Sequence, residues 1–195
     1  AGMYIWIRND PKDHPHMTPA ELAELEADKA AKSGGKGASE APIPFMTVLK
    51  SPILWQMALI WFLFDITFWG FSSWLPSYLM KVRGCSLAKT GVMAAIPFLC
   101  GTVGTLLGGY LSDKGKDARK WIYVVASVIS AGFLYLVFSV ESADMAVAYQ
   151  CISSFFMFLA MALFWGILMD QIPTKIMGRA SGIVNFGGQM AGVVS

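Results

Sequence analysis

Long apolar runs alternate with short charged ones along this chain. Four of the runs, 52–80, 87–112, 121–140 and 145–169, hold 20 or more residues with almost no charge. An α-helix rises about 1.5 Å per residue, so about 20 apolar residues cross a hydrocarbon layer of roughly 30 Å. Each run is therefore expected to be a membrane-spanning helix. A fifth begins near Ala180 and is still open at Ser195. Residues 1–7 are apolar and aromatic but too short to span, and read as the last turns of a helix. They lack the charged start and cleavage pattern of a signal peptide. The pattern thus predicts four complete spans and two partial ones.

Between 1–7 and the first full span the pattern turns polar. Thr18, Pro19 and Glu21 form a capping box with proline at the first helical position, which starts a short charged helix to about Lys32. Asp28 and Lys32 on it are spaced to pair at i,i+4. Residues 33–39 read as a flexible Gly/Ser linker closed by Pro42 and Pro44. Residues 8–51 are accordingly expected to be a water-exposed connector. Loop charge sets its side. Of the 15 Lys and Arg residues, all but Lys81, Arg83 and Lys89 fall in the connector, in 113–120 or in 173–179. Those three segments share one face, and the excess of positive charge makes that face cytoplasmic.

Composition sharpens the picture. The chain is 55% hydrophobic and 14% charged, well under the one quarter usual for soluble domains. The net charge of +2 and the lack of a basic, aromatic-studded patch argue against nucleic acid. Cys85, Cys100 and Cys151 are scattered, which indicates neither a disulfide framework nor a metal site. His14 and His16 flank Pro15 and read as a solvated loop. The charged loops offer no Ser/His/Asp set and no phosphate loop, so no enzyme activity and no cofactor are expected.

The candidate chemistry lies inside the spans. Asp65 falls near the middle of the first one. An acid at mid-span costs about 2.5–3.5 kcal/mol on insertion scales, and protonating an aspartate at neutral pH costs roughly 4 kcal/mol. The two costs are comparable, so such a carboxyl suits taking up and releasing a coupling proton, or bonding a substrate. The alternative is a structural acid paired with a cation elsewhere. Trp69 at i+4 and Ser72 at i+7 share its helix face and extend it into a possible polar cavity lining. Trp74 and Tyr78, nearer the end of the span, suit interfacial anchoring. Asn185 and Gln189 form an i,i+4 pair among glycines in the last span and suit either substrate contact or interhelical bonding. Gly101, Gly104, Gly108 and Gly109 suit close helix packing, and Ser153 and Ser154 suit bonding back to their own helix.

At 108–120 the sequence Gly-Gly-Tyr-Leu-Ser-Asp-Lys-Gly-Lys-Asp-Ala-Arg-Lys resembles the G-x-L-x-D-R-x-G-R-R motif of the major facilitator superfamily, with two extra residues before Arg119. Arg8-Asn-Asp-Pro-Lys-Asp-His-Pro15, Met17-Thr-Pro-Ala-Glu-Leu22, Trp74-Leu-Pro-Ser-Tyr-Leu79, Asp170-Gln-Ile-Pro173 and Gly178 to Gln189 are similar in order and spacing to the anion:cation symporter family within it. The resemblance implies an all-α, polytopic, partial major-facilitator fold. This would be the C-terminal six-helix bundle with helices 7 to 10 complete and the ends of helices 6 and 11. Residues 1–7 would end helix 6, 8–51 would connect the halves, and 52–195 would form the bundle. It implies a secondary transporter of the cell membrane that moves a sugar acid (hexuronate, hexonate or aldarate) with protons or sodium by alternating access, against an N-terminal half of the same protein. It casts Asp113 with Lys114, Arg119 or Lys120 as a charge relay, and places Asn185 near the substrate. Gln189 stands where the family more often has Asn.

Two rivals are weighed. An organophosphate/phosphate antiporter of the same superfamily needs cations facing the cavity, and the span interiors contain no Lys or Arg. A membrane enzyme or channel would need convergent catalytic groups or a pore-forming assembly.

Overall fold

The computed structural model describes residues 17–34 and 45–195. The tract 1–7, the HxH at 14–16 and the linker prolines lie outside them, as do the side chains of Asp28 and Lys32. The chain divides into two compact units, 1–42 and 43–195.

The described part of the first unit is helix α1, Pro19–Gly34. Its start is the expected capping box. The Glu21 carboxylate accepts from the Thr18 N–H at 2.9 Å, and the Glu21 N–H donates to the Thr18 hydroxyl at 3.3 Å. Two donors that a helix start leaves open are thereby satisfied. The Thr18 N–H and hydroxyl hold the Glu21 carboxyl below its ordinary 4.5. Because the folded value is the lower one, this stabilisation is present above pH 4.5 and fades as pH falls through the lowered value. Thr18→Ala is expected to weaken the helix start by about 0.5–2 kcal/mol. The readout is faster amide exchange at Leu22, whose N–H donates to the Thr18 carbonyl. Glu21→Gln should remove the acid dependence of that exchange.

In the second unit a short helix α2, Phe45–Leu49, leads into α3, Pro52–Lys81. Then come α4, Leu87–Lys114; α5, Arg119–Ser139; α6, Ala143–Gln171; a 3₁₀ turn, Thr174–Ile176; and α7, Met177–Val194. Helices α3 to α6 are each long and apolar enough to cross a membrane. The expected spans match these four within about two residues at each end. Ser86 caps α4 through Lys89 N–H at 3.3 Å, and Ser142 caps α6 through Met145 N–H at 3.5 Å. Gly84, in the turn before α4, takes φ +63°, a conformation open to glycine.

Helix α6 packs along both α4 and α5, while α3 packs chiefly on α7. Between helices in lipid, apolar burial gives little drive, so close approach by small residues and polar contacts must hold them together. Helix α4 shows this division of faces. Gly101, Gly104 and Gly108 are buried on one stripe. A Cβ at Gly104 would strike the Phe155 carbonyl of α6, and one at Gly108 would strike the Leu159 carbonyl and Ala162. A Cβ at Gly109 would meet nothing within 4 Å among the described residues, so its expected packing role is not found. The opposite stripe, Leu99, Val103 and Leu106, is exposed, as suits contact with lipid.

The seam between α5 and α6 is polar. The Ser153 hydroxyl donates to the Ser130 carbonyl at 2.9 Å, and the Ser130 hydroxyl donates to the Ser153 carbonyl at 3.0 Å. Ser153 therefore bonds across helices, not back to its own as expected, because Ser130 stands within reach. Ser154 instead accepts from the Gln150 amide at 3.1 Å. Tyr78 also departs from the expected anchoring role. It is buried among Leu75, Leu79, Met93 and Val137, and its hydroxyl accepts from Arg83 Nε at 2.8 Å. The Arg83 guanidinium continues to the carbonyls of Val140 and Glu141, closing the end of α5. Trp74 stacks on Tyr78 at 4.4 Å.

Candidate functional site

The α3–α7 contact holds the mid-span acid. Helix α3 turns Leu54, Ala58, Trp61 and Asp65 inward, and α7 turns Ala180, Val184, Gly188 and Ala191 inward. Spacings of three and four put each set on one helix face. Asp65 is 6% exposed and so is Trp61. Both lie against Gly188. Any Cβ there would collide with an Asp65 carboxylate oxygen and would meet Trp61 Nε1 at 2.5 Å. Glycine is thus the residue that lets α7 close over the acid. Trp61 Nε1 is buried with no hydrogen-bond partner among the described residues, a state that costs about 1–3 kcal/mol. The indole itself is well packed, stacked at 4.7 Å on Phe164 and 5.3 Å on Phe64.

Trp69 lies one turn beyond Asp65 and covers Gly192, whose Cβ would sit 3.4 Å from the indole. The structure thus brings Asp65 and Trp69 to the same helix partner. Ser72 is half-buried further along α3. Asn185 and Gln189 are exposed, each one position past the inward-facing Val184 and Gly188. No hydrogen bond joins either amide to Asp65 among the described residues. A cavity of about 320 Å³ lies on another face of α3, between it and α5, lined by Ile60, Leu63, Phe64, Thr67 and Tyr123 among others. None of Asp65, Trp69, Ser72, Asn185 or Gln189 lines it.

A second charged cluster joins the ends of three helices. Arg119, at the start of α5, is buried. Its Nε donates to the Ser112 carbonyl at 2.7 Å, and its guanidinium donates to the Gly166 carbonyl at 3.1 Å and ion-pairs with Asp170. Gly166 makes room for the neighbouring Ser112, since a Cβ there would strike the Ser112 hydroxyl while only touching the guanidinium at 3.4 Å. The last turns of α4 and α6 carry free carbonyls, and a cation at that end is favoured. Asp113 is expected to act with Lys114, Arg119 or Lys120; in this structure Arg119 pairs with Asp170. Asp113 has no ion pair among the described residues. Lys114 Nζ donates to the Tyr110 hydroxyl at 2.5 Å and lies 4.5 Å over its ring. Lys120 sits 5.8 Å from the Trp121 ring. Arg119→Met is expected to cost about 2–3 kcal/mol. Breaking a buried pair costs about 3–5 kcal/mol, and the Asp170 side chain, 36% exposed, recovers part of this through water. The midpoint of thermal unfolding in detergent measures it.

Trp61 and Asp170 were not singled out as site residues. Trp61 stands at i−4 from Asp65, so the spacing that pointed to Trp69 reaches it in the other direction. Nothing local flags the Arg119–Asp170 pair, whose members are 51 residues apart.

Long helices with glycine-lined contacts, apolar outer faces and one carboxyl buried at mid-span are the features of an integral membrane bundle. The chain belongs to the Major Facilitator Superfamily, whose family model matches residues 1–195. It is 29% identical to a probable sulfoacetate transporter of Cupriavidus necator over 98% of this chain and 45% of that protein. It is 30% identical to a probable galactarate/D-glucarate transporter of Escherichia coli K12 over 98% of this chain and 46% of that protein. A hexuronate transporter of Bacillus subtilis is 29% identical over 94% of this chain and 44% of that protein. The chain therefore spans just under half the length of these relatives.

Proposed function

We propose that the full-length protein is a secondary active transporter that moves an organic anion by symport with a proton or another cation. The substrate is a sugar acid such as a hexuronate, hexonate or aldarate, and access alternates between two six-helix halves of one protein. One observation carries the coupling: Asp65, buried at mid-span against Gly188, has no ion-pair or hydrogen-bond partner among the described residues. A buried carboxyl without a fixed cation is free to exchange a proton as the helices move. The substrate class rests on the relatives, whose names specify galactarate, D-glucarate, hexuronate and sulfoacetate. Every Lys and Arg on α3 to α7 sits in or next to a first or last turn, so the cation that draws the anion to mid-membrane comes from the N-terminal half. Trp69, Ser72, Asn185 and Gln189 supply polar contacts to the substrate from this half. Asp113, Lys114, Arg119 and Lys120 act at the cytoplasmic face of the cell membrane, the same side as connector 8–51.

Uptake by the full-length protein in proteoliposomes tests this, with a panel of sugar acids and phosphate esters, with and without a pH or sodium gradient. Saturable uptake of a sugar acid driven by one of the gradients is the expected result. Gradient-independent exchange of phosphate esters, or no uptake of any anion, would overturn it.

A further inference from the structure

Asp65 is not alone in lacking a partner at the α3–α7 contact. Trp61 Nε1 is buried, has no acceptor among the described residues, and faces the same point over Gly188 as the Asp65 carboxylate. The two residues are four apart on α3, so their side chains rise from one helix face. A donor without an acceptor beside an acceptor without a donor is a pair that a change of side-chain torsion can join. Trp61 stacks on Phe64 of its own helix and on Phe164 of α6, and tilting within such a stack keeps its apolar contacts.

We propose that Trp61 is the positioning partner of the coupling acid, its indole N–H donating to Asp65 whenever that carboxylate is charged and released from it when Asp65 takes a proton. This rests on the coupling role given to Asp65 above. A charged acceptor draws the N–H far more strongly than a neutral one. Protonation would therefore return the indole to the unbonded position seen here, packed over Gly188. The proton state of Asp65 is in this way transmitted to the surface on which α7 rests. Gly188 makes the device possible, because a methyl group there would fill the space the carboxylate and the indole share.

Among the described residues, the other charged groups on α3 to α7 sit at helix ends, and α5 adds the titratable Tyr123 beside the Trp61 cluster. Its own helix carries Tyr78 and Lys81, both near the far end. Arg179 of α7 lies in the first turn, nine residues before Gly188. On α4 and α6 the charged groups Lys89, Lys114, Asp144 and Asp170 sit in the end turns, and Asp113 beside Lys114. Their remaining titratable groups are Tyr110, Tyr149 and the thiols Cys100 and Cys151. Helix α2 has none.

The test follows the Trp61 indole proton by NMR in the ¹⁵N-labelled full-length protein. Its signal is assigned by its loss in Trp61→Phe, with Trp61→Tyr as the second variant should the first not fold. In the wild-type protein the signal is expected to move downfield as pH rises, the mark of a new charge-assisted hydrogen bond. In Asp65→Asn it should stay still. A Trp61 signal that ignores pH in the wild type, or that still follows pH in Asp65→Asn, overturns the proposal. The two layers separate cleanly. If Asp65→Asn loses gradient-driven uptake while the wild-type indole ignores pH, the coupling stands and the role of Trp61 fails. If Asp65→Asn keeps full gradient-driven uptake, the coupling itself fails and the Trp61 proposal with it.

Discussion

Asp65→Asn is expected to abolish accumulation driven by a pH gradient while leaving exchange of substrate across the membrane intact. One pH unit stores about 1.4 kcal/mol per proton, and one coupled proton converts this to about tenfold accumulation of substrate. Without the titrating group the gradient has no grip, and the accumulation ratio falls to about 1. Counterflow, which needs only alternating access, should continue at a comparable rate. The variant should also fold at least as well as the wild type. It replaces a group that costs about 2.5–3.5 kcal/mol at mid-membrane with a neutral amide of nearly the same shape, in a site where Asp65 is buried without an ion pair or hydrogen bond among the described residues. Gradient-driven accumulation by Asp65→Asn equal to that of the wild type would rule out the coupling role. Loss of counterflow as well would mark Asp65 as part of the substrate site instead.

The largest expected loss of stability is at Gly104. Even alanine places its Cβ against the Phe155 carbonyl. The obstacle is backbone inside a helix and cannot rotate away, so α4 and α6 must separate along their contact. Overpacking typically costs 1–3 kcal/mol, occasionally more. Gly104→Val is expected at about 3 kcal/mol or above, enough to cut the yield of folded protein from the membrane. Gly109→Val, five residues on in the same helix, is the control. It borders nothing within 4 Å and should leave the unfolding midpoint within about 0.5 kcal/mol of wild type. Equal loss in both variants would mean that helix propensity, and not the α4–α6 contact, sets the cost.

Much of the fold was legible because its determinants are local. The capping box at Thr18 and Glu21 needs only residues three apart, and it forms as expected. Hydrocarbon thickness translates directly into run length, so the four spans stood out from hydropathy. Burial at mid-span made Asp65 conspicuous, since one acid among apolar residues needs no partner to be noticed. Side-chain bonding was less legible. A serine can bond to its own helix or to a neighbour, and Ser153 chose Ser130 on α5 because the two helices bring those positions together. Tyr78 carries the same residue type whether it anchors at an interface or packs in a core, and only the neighbours that bury it decide.

The chain by itself determined where helices begin and end, which segments are apolar enough to cross a membrane, and where a carboxyl falls at mid-span. These follow from hydrogen bonds and hydrophobicity within a few residues of each position. Only the tertiary structure decided that Arg119 takes Asp170 instead of the nearer Asp113, that Gly188 sits on Asp65, and that Trp61 faces the same gap without an acceptor. Those facts join residues 51 or more positions apart or depend on which face of one helix meets another. In a membrane that choice turns on the fit of small residues and a few polar contacts, and the hydrophobic pattern does not encode it.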